Sequence, residues 1–221
     1  MPVANNVLTP EIQRVWDVVG SATPTSSLLL GGTALAIYLE HSQSEELDLF
    51  VHSPFDPPEL LRRLRRMGKV EDEFVEEGTL NCAFEDVKLQ FLHAIGQSRI
   101  APGRRVGEMP VGSFPDIAAA NLKVVEDRGE LRDYYDLMCI EEQGEADVYQ
   151  MLEWYCRRYQ LQRTDQSVYH IVRALGSLHD VADDPWLTES LGDPSLFKQV
   201  EGYWRSRQEE IARHFFPNHT G

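Results

Sequence analysis

The sequence predicts an α+β protein in which a lobe built on a mixed sheet is followed by an all-helical lobe. Three observations predict this class. Short apolar runs separated by turn residues dominate up to about residue 93, and segments with helical periodicity dominate after Ser113. The 221-residue chain also has ordinary globular composition, with 42% hydrophobic and 26% charged residues. We therefore expect an α/β lobe over residues 1–113 and a helical lobe over 114–221.

The first lobe begins with a helix-start signal. Thr9 is a typical N-cap and Pro10 suits the first turn, so we expect a helix to about Gly20. Further helices are predicted at 34–40 and 57–68. Strands, each an apolar or alternating run bounded by turn residues, are predicted at 26–30, 47–52, 69–76, 79–84 and 87–93. These runs indicate a sheet of about four or five strands.

The second lobe shows few strand signals. Helical periodicity predicts helices at 114–127, 130–142, 146–160, 167–179 and 194–216. Trp154, Tyr155 and Tyr159 recur at roughly helical spacing, which is more typical of a core face than of a base-stacking surface. We therefore assign these three aromatic side chains to the core of the helical lobe.

The chain is strongly acidic. It has 36 Asp and Glu against 21 Lys and Arg, a formal net charge of -15. Such a charge repels polyphosphate at long range, so broad, non-specific nucleic-acid binding is excluded and an RNA would need a local basic patch. Arg62, Arg63, Arg65 and Arg66 form one basic helix face, interpreted either as solvated or as a docking patch for RNA phosphates. The net charge also suits a basic protein partner, although solubility alone would explain it.

The sequence lacks the signals of several other classes of protein. No run approaches the roughly 18 apolar residues of a membrane span, and the first residues do not resemble a secretion signal. Cys82, Cys139 and Cys156 have no CxxC spacing, so we interpret them as reduced core thiols of a cytoplasmic protein. The seven histidines lack zinc-site spacing. No Walker-type or Gly-x-Gly-x-x-Gly loop is present.

The segment from Leu28 to Val51 carries the chemistry. It reads as a buried strand, the turn Gly31-Gly32-Thr33, a short helix, and a strand bearing Glu46 and Asp48. Residues two apart on a strand share a face, so the two carboxylates project together. Free backbone N–H groups at the helix start can hold a phosphate. A phosphate cradle beside paired carboxylates is what Mg²⁺-assisted phosphoryl or nucleotidyl transfer needs.

Four segments, in order, resemble the AbiEii/AbiGii-type toxin family of the polymerase-beta-like nucleotidyltransferase fold. The first is LLLGGTALA followed by the acidic pair, and the second is VKLQFL at 87–92. The third is DIAA at 116–119, and the fourth is Arg128-Gly129 followed by RDYYDL at 132–137. Together they cover roughly residues 25 to 140, and several ordered motifs are more specific than one. The remaining C-terminal stretch is similar only as generic helices.

The resemblance implies a nucleotidyltransferase-like mixed-sheet lobe that binds a nucleoside triphosphate with Mg²⁺. Glu46, Asp48 and Gln90 would bind the metal, and Gly31, Gly32 and Thr33 would hold triphosphate oxygens. Lys88 and Arg132 would add positive charge, and Asp133 and Asp136 would act with the acidic pair in catalysis from the helical lobe. The resemblance further implies a toxin paired with an antitoxin protein, transferring a nucleotide to a tRNA acceptor.

Three positions depart from the family pattern. Glu46 stands for an Asp, Gln90 for a third carboxylate, and Asn121 for a Lys, with Lys123 two positions further along the helix. Glutamine offers a neutral oxygen, so it can bind a metal but cannot act as a base. Two alternatives therefore stay open beside the toxin-type enzyme. One is a non-catalytic interaction module, and the other is a nucleotidyltransferase acting on a small hydroxylated molecule such as an aminoglycoside.

Overall fold

The structure is a computed structural model that describes residues 7–127, 129–178, 181 and 195–216. The chain forms two compact units, Met1–Ile117 and Ala118–Gly221. All strands among the described residues lie in the first unit, and helices follow the sheet along the chain. The predicted α+β class, a mixed-sheet region followed by helices, is confirmed.

The first unit contains three helices, seven strands and the start of a fourth helix within its described residues. Their bounds are α1 Pro10–Ala22, β1 Ser27–Leu30, α2 Gly31–Leu39, β2 Glu46–Val51, α3 Pro57–Met67, β3 Val70–Glu76, β4 Thr79–Phe84, β5 Val87–His93, β6 Arg104–Val106, β7 Met109–Val111 and α4 Phe114–Asp127. The capping signals act as expected, since Thr9 Oγ1 accepts a hydrogen bond from Ile12 N at 3.3 Å.

The strands form one mixed sheet in the order β3-β4-β5-β2-β1-β7-β6. Strand β2 runs parallel to β5 and antiparallel to β1, and β1 runs parallel to β7. Strands β6 and β7 were not predicted, so the expectation of four or five strands was too low. Each has only three residues, too few to show an alternating pattern.

The two faces of the sheet differ sharply. On β2, Leu47, Leu49 and Val51 are fully buried, whereas the residues between them are half-buried. The same alternation continues on β4 and β5. Helices α1 and α3 contact the sheet. Phe84, which is buried on β4, lines a groove together with residues of both helices. These helices therefore cover the apolar face, and the opposite, half-buried face carries Glu46 and Asp48. We call it the open face.

The second unit is helical throughout its described residues. The division between the units falls within α4, and the further helices are α5 Leu131–Glu142, α6 Val148–Tyr159, α7 Gln166–Leu175 and α8 Leu196–Phe215. The predicted positions Arg128, His179 and Pro194 lie outside the described residues. Tyr155 is buried as expected, whereas Trp154 and Tyr159 are only half-buried. The three cysteines are buried free thiols.

Candidate functional site

The glycine pair forms the first turn of α2. We expected Gly31-Gly32-Thr33 to be a turn before a helix starting at Ala34, and this was wrong, since the helix begins at Gly31 itself. Its first residue has φ +70°, a conformation that glycine adopts without strain. The N-cap Leu30 offers no side-chain hydrogen bond. The side chain of the N-cap residue therefore does not cap the first N–H groups of α2, and N–H groups at a helix start suit an anion.

The carboxylate of Asp48 lies against the start of this helix. Asp48 is the register partner of Leu30 in the β1–β2 ladder, directly before Gly31. A Cβ placed on Gly31 would lie 2.5 Å from Asp48 Oδ2. A side chain at position 31 would therefore force the Asp48 carboxylate to move. The fold thus brings the predicted acid and the predicted glycine turn together.

Thr33 is engaged inside the protein. Its side chain is buried, and its hydroxyl donates to the backbone carbonyl of Glu46 at 2.5 Å. This hydrogen bond ties the first turn of α2 to the start of β2. It leaves the backbone N–H of Thr33, rather than its hydroxyl proton, for the triphosphate contact expected from the sequence.

Two rows of side chains cross the open face. In the register of β2, β5, β4 and β3, the first row is Glu46, Lys88, Ala83 and Glu71, and the second is Asp48, Gln90, Asn81 and Phe74. Directly opposed residues in a sheet share a face. Four of the predicted site residues, Glu46, Asp48, Lys88 and Gln90, are therefore neighbours on one surface. Their roles stay predictions.

A pocket of about 230 Å³ opens on these rows. Its lining includes Glu46, Lys88, Gln90 and two residues that the sequence analysis missed, Asp72 and Asn81. Asp72 has φ +51° and lies where the β3–β4 register shifts between Glu71 and Phe74. It was overlooked because it belongs to an acidic stretch of an exposed strand. A β-bulge moves it into the pocket, and a bulge leaves no clear sequence signal here.

The donor set of the open face fits Mg²⁺. Glu46 and Asp48 offer carboxylates and Gln90 a neutral oxygen, and Mg²⁺ is usually bound through one or two carboxylates plus phosphate oxygens and waters. The carboxylate of Glu46 makes no hydrogen bond or ion pair with another described residue. Within the described ranges, no group of three or more His, Cys, Asp or Glu side chains could hold a metal. This agrees with glutamine standing where a third acid is expected.

The second unit holds the other predicted site residues. Arg132, Asp133 and Asp136 lie on α5. Asp133 Oδ2 accepts from Glu130 N at 2.8 Å and so caps the helix, and Asp136 is buried. Capping is the ordinary role of an acid in a first helical turn. The catalytic and triphosphate roles of these three residues therefore stay predictions.

In the third motif of the resemblance, DIAA at 116–119, Asp116 makes contacts that give it a structural role. Asp116 is fully buried, and it accepts hydrogen bonds from Ile100 N at 3.0 Å and from the Ser113 hydroxyl at 2.5 Å. In the second unit, the amide of Asn121 is buried and its Nδ2 has no hydrogen-bond partner. Lys123 forms ion pairs with Glu126 and Asp127 at 2.9 and 2.7 Å.

The four arginines of α3 are all engaged. Arg62 and Arg66 pair with Glu59 at 2.7 and 3.7 Å, and Arg65 pairs with Glu73. Arg63 donates to the carbonyl of Ala22. Exposed pairs of this kind are weak, but each acid cancels positive charge. The helix face is therefore a partly neutralised surface, on which two acids offset part of the charge of four arginines.

The comparisons with known proteins agree with this architecture. A proposed nucleotidyltransferase from Helicobacter pylori, solved by crystallography, is similar with a TM-score of 0.55 and 15% sequence identity, over 96% of this chain and 97% of that one. An uncharacterised Aquifex aeolicus protein, aq_aa25, is 24% identical over 189 residues, 84% of each chain. No family model matches the sequence. The chain therefore shares the fold of the Helicobacter protein, and its placement among AbiEii-type toxins remains an expectation.

Among the described residues, none of the helices combines the length and hydropathy needed to cross a bilayer. This agrees with the sequence, in which no long apolar run was found.

Proposed function

We propose that the protein is a Mg²⁺-dependent nucleotidyltransferase, which moves a nucleoside monophosphate from a nucleoside triphosphate to a hydroxyl group. The observation that carries the proposal is the contact between Asp48 and Gly31. It places a carboxylate beside the first amides of helix α2, so that a metal ion and a phosphate can bind next to each other. The fold of the similar Helicobacter protein supports the same assignment.

Each residue has a defined part in this proposal. The first amides of α2, from Gly31 to Thr33, donate hydrogen bonds to triphosphate oxygens. Asp48 and Glu46 bind Mg²⁺, with Gln90 as a neutral neighbour. Lys88, which is exposed and makes no ion pair with another described residue, adds positive charge at the metal-binding edge. When bound, the metal supplies charge neutralisation on the phosphates and orients the attacking oxygen.

The acceptor is proposed on weaker support. The resemblance implies a tRNA acceptor, and with it a toxin that an antitoxin protein counteracts. An RNA acceptor also needs cationic contacts, and the four arginines of α3 are engaged by protein partners. The RNA acceptor therefore rests on the sequence resemblance alone.

One observation favours a second candidate, a non-catalytic member of this fold that acts as an interaction module. Gln90 occupies the position between Asp48 and Asn81, and within the described residues no three-acid cluster is present. A glutamine cannot take a proton from an attacking hydroxyl. Such a protein would bind a nucleotide without transferring it.

Calorimetric titration with each nucleoside triphosphate and Mg²⁺ tests the binding step. We expect binding to the wild type and a loss of at least about tenfold in affinity for Asp48→Asn, since the metal loses a charged ligand. Glu77→Gln is the matched control, because it removes one negative charge from the exposed turn before β4. Equal heats for wild type and Asp48→Asn would contradict the proposal.

Incubation with labelled nucleotides and total RNA separates the two candidates. Label transferred by the wild type and lost in Asp48→Asn supports the enzyme. Nucleotide binding without transfer to RNA or to small hydroxylated acceptors supports the interaction module.

A further inference from the structure

The pocket on the open face extends beyond the proposed metal ligands. Glu46 lies at one end of its lining and Asp72 comes from β3, three strands away in the sheet order. At about 4.8 Å per strand, Asp72 is too distant to share a metal ion with Asp48. The part of the pocket beside Asp72 therefore lies beyond the proposed metal site.

The bulge in β3 holds Asp72 at this pocket. A non-glycine residue with positive φ inside a strand costs roughly 1 kcal/mol, and Asp72 has φ +51°. Bulges are over-represented beside active sites, where they redirect a side chain. Ala83, which is small, lies in the row between Lys88 and Glu71 and leaves room above the sheet.

The lining of the pocket offers hydrogen-bond acceptors that no other described residue engages. Asn81 Oδ1 is buried and accepts no hydrogen bond. Asp72, like Glu46, forms no hydrogen bond or ion pair within the described part of the chain. Lys88 is the cation in this lining and is the register partner of Glu46. A triphosphate bound there would neutralise the charge of Lys88. A ligand that brings donors, as hydroxyl and ammonium groups do, therefore suits the β3 side of the pocket.

We propose that this pocket binds the molecule that receives the nucleotide, and that Asp72 and Asn81 hold non-reacting hydroxyl or ammonium groups of a small, hydroxylated cation. The inference rests on the proposed function. The volume of about 230 Å³ suits one or two sugar-sized rings, so a three-ring molecule such as kanamycin would enter with part of its structure, whereas a macromolecule would not fit. The net charge of -15 favours the approach of a cation and disfavours that of RNA.

Calorimetry with chemically matched probes tests the pocket. The probes are kanamycin, which bears amines and hydroxyls, spermidine, which bears amines only, sucrose, which bears hydroxyls only, and total tRNA, each with Mg²⁺ and a non-hydrolysable ATP analogue. We expect kanamycin to bind the wild type and to bind Asp72→Asn about five- to tenfold more weakly, as for loss of one charge-assisted hydrogen bond. Asn tolerates the positive φ of this position, so the bulge is retained.

One further variant and one control variant test whether the loss of binding comes from the Asp72 side chain. Asp72→Gly removes the side chain, relieves the backbone strain and should weaken kanamycin as much as Asp72→Asn does. Glu77→Gln, the charge-matched control, should bind kanamycin as the wild type does. Circular dichroism of each variant verifies that the sheet is intact.

Several results would overturn the inference. They are no kanamycin binding to the wild type, equal binding to Asp72→Asn, spermidine or sucrose binding as tightly as kanamycin, or tRNA binding that alone depends on Asp72. Repeating the kanamycin titration without nucleotide separates this inference from the proposed function. Asp72-dependent kanamycin binding in a protein that binds no nucleotide would remove the nucleotidyltransferase proposal and leave a binding pocket.

Discussion

Asp48 Oδ2 lies 2.5 Å from the position that a Cβ on Gly31 would take. An acid on one strand is thereby packed against the first residue of a helix that follows the neighbouring strand. Because α2 has no side-chain cap, its amides and the Asp48 carboxylate border the same space. A cation held by the carboxylate would be within reach of an anion held by the amides.

Gly31→Ala should abolish nucleotide binding at a modest cost in stability. Alanine at φ +70° costs roughly 1 kcal/mol, and its Cβ would displace the Asp48 carboxylate. Gly96→Ala is the matched control in the same unit, since Gly96 has φ +87° with nothing within 4 Å of the added carbon. Urea unfolding should show a similar backbone cost for both. Titration with ATP and Mg²⁺ should show loss of binding only for Gly31→Ala, and retained binding there would refute the shared site.

Gln90→Glu should strengthen metal binding. The side chain lies between Asp48 and Asn81 on the open face, so a third carboxylate there would add a charged ligand. We expect the Mn²⁺ affinity, measured by calorimetry, to rise by about tenfold, equivalent to roughly 1.4 kcal/mol. The same change made together with Asp48→Asn should give a smaller gain. No gain in either background would mean that these side chains do not converge on a metal.

Glu126→Gln should lower the stability of the second unit in a pH-dependent way. Burial raises the pKa of Glu126, but hydrogen bonds from Ser167, Tyr155 and Lys123 outweigh it and hold the pKa below 4.5, its ordinary value. A depressed pKa stabilises the fold above the unfolded-state value, and this stabilisation is lost as the pH falls through the folded-state pKa. We expect a loss of about 1–2 kcal/mol at pH 7.

Urea unfolding between pH 7 and pH 3 measures this effect. The difference in the free energy of unfolding between wild type and Glu126→Gln should narrow below about pH 4.5. The wild-type carboxyl is then protonated and, like the glutamine, carries no charge. Glu145→Gln, on an exposed loop of the same unit, should behave as the wild type throughout. A difference that stays constant with pH would show that charge is not the cause.

In the first unit, the sequence alone predicted several strands and the side chains that share a face of each strand. Strands β4 and β5 occupy the predicted residues without a shift, because alternating apolar residues and clear turn signals defined both. Glu46 and Asp48 share one face of β2, and Lys88 and Gln90 share one face of β5, since two-residue spacing on a strand determines this locally. The register of β2 with β5 then places both pairs on the same face of the sheet. Strands β6 and β7 were missed because three residues cannot show a period.

The site was predicted less completely than the strands that carry it. Thr33 was predicted to hold triphosphate oxygens as part of the glycine turn, and the sequence did not show that its hydroxyl donates to Glu46 O. The arginines of α3 looked like a basic face, yet three of them pair with two acids, Glu59 on α3 and Glu73 on β3. In both cases the deciding partner lies on another segment or on the next helical turn, and a linear pattern does not reveal which contact forms.

The sequence by itself determined the elements and which side chains share a face, because helix caps, turns and the two-residue strand period act between near neighbours in the chain. The tertiary structure alone decided that Asp48 meets Gly31, that Gln90 lies between Asp48 and Asn81, and that a bulge turns Asp72 into the pocket. Those relationships depend on strand order and register, which are fixed by burying the apolar face of the whole sheet rather than by any local segment.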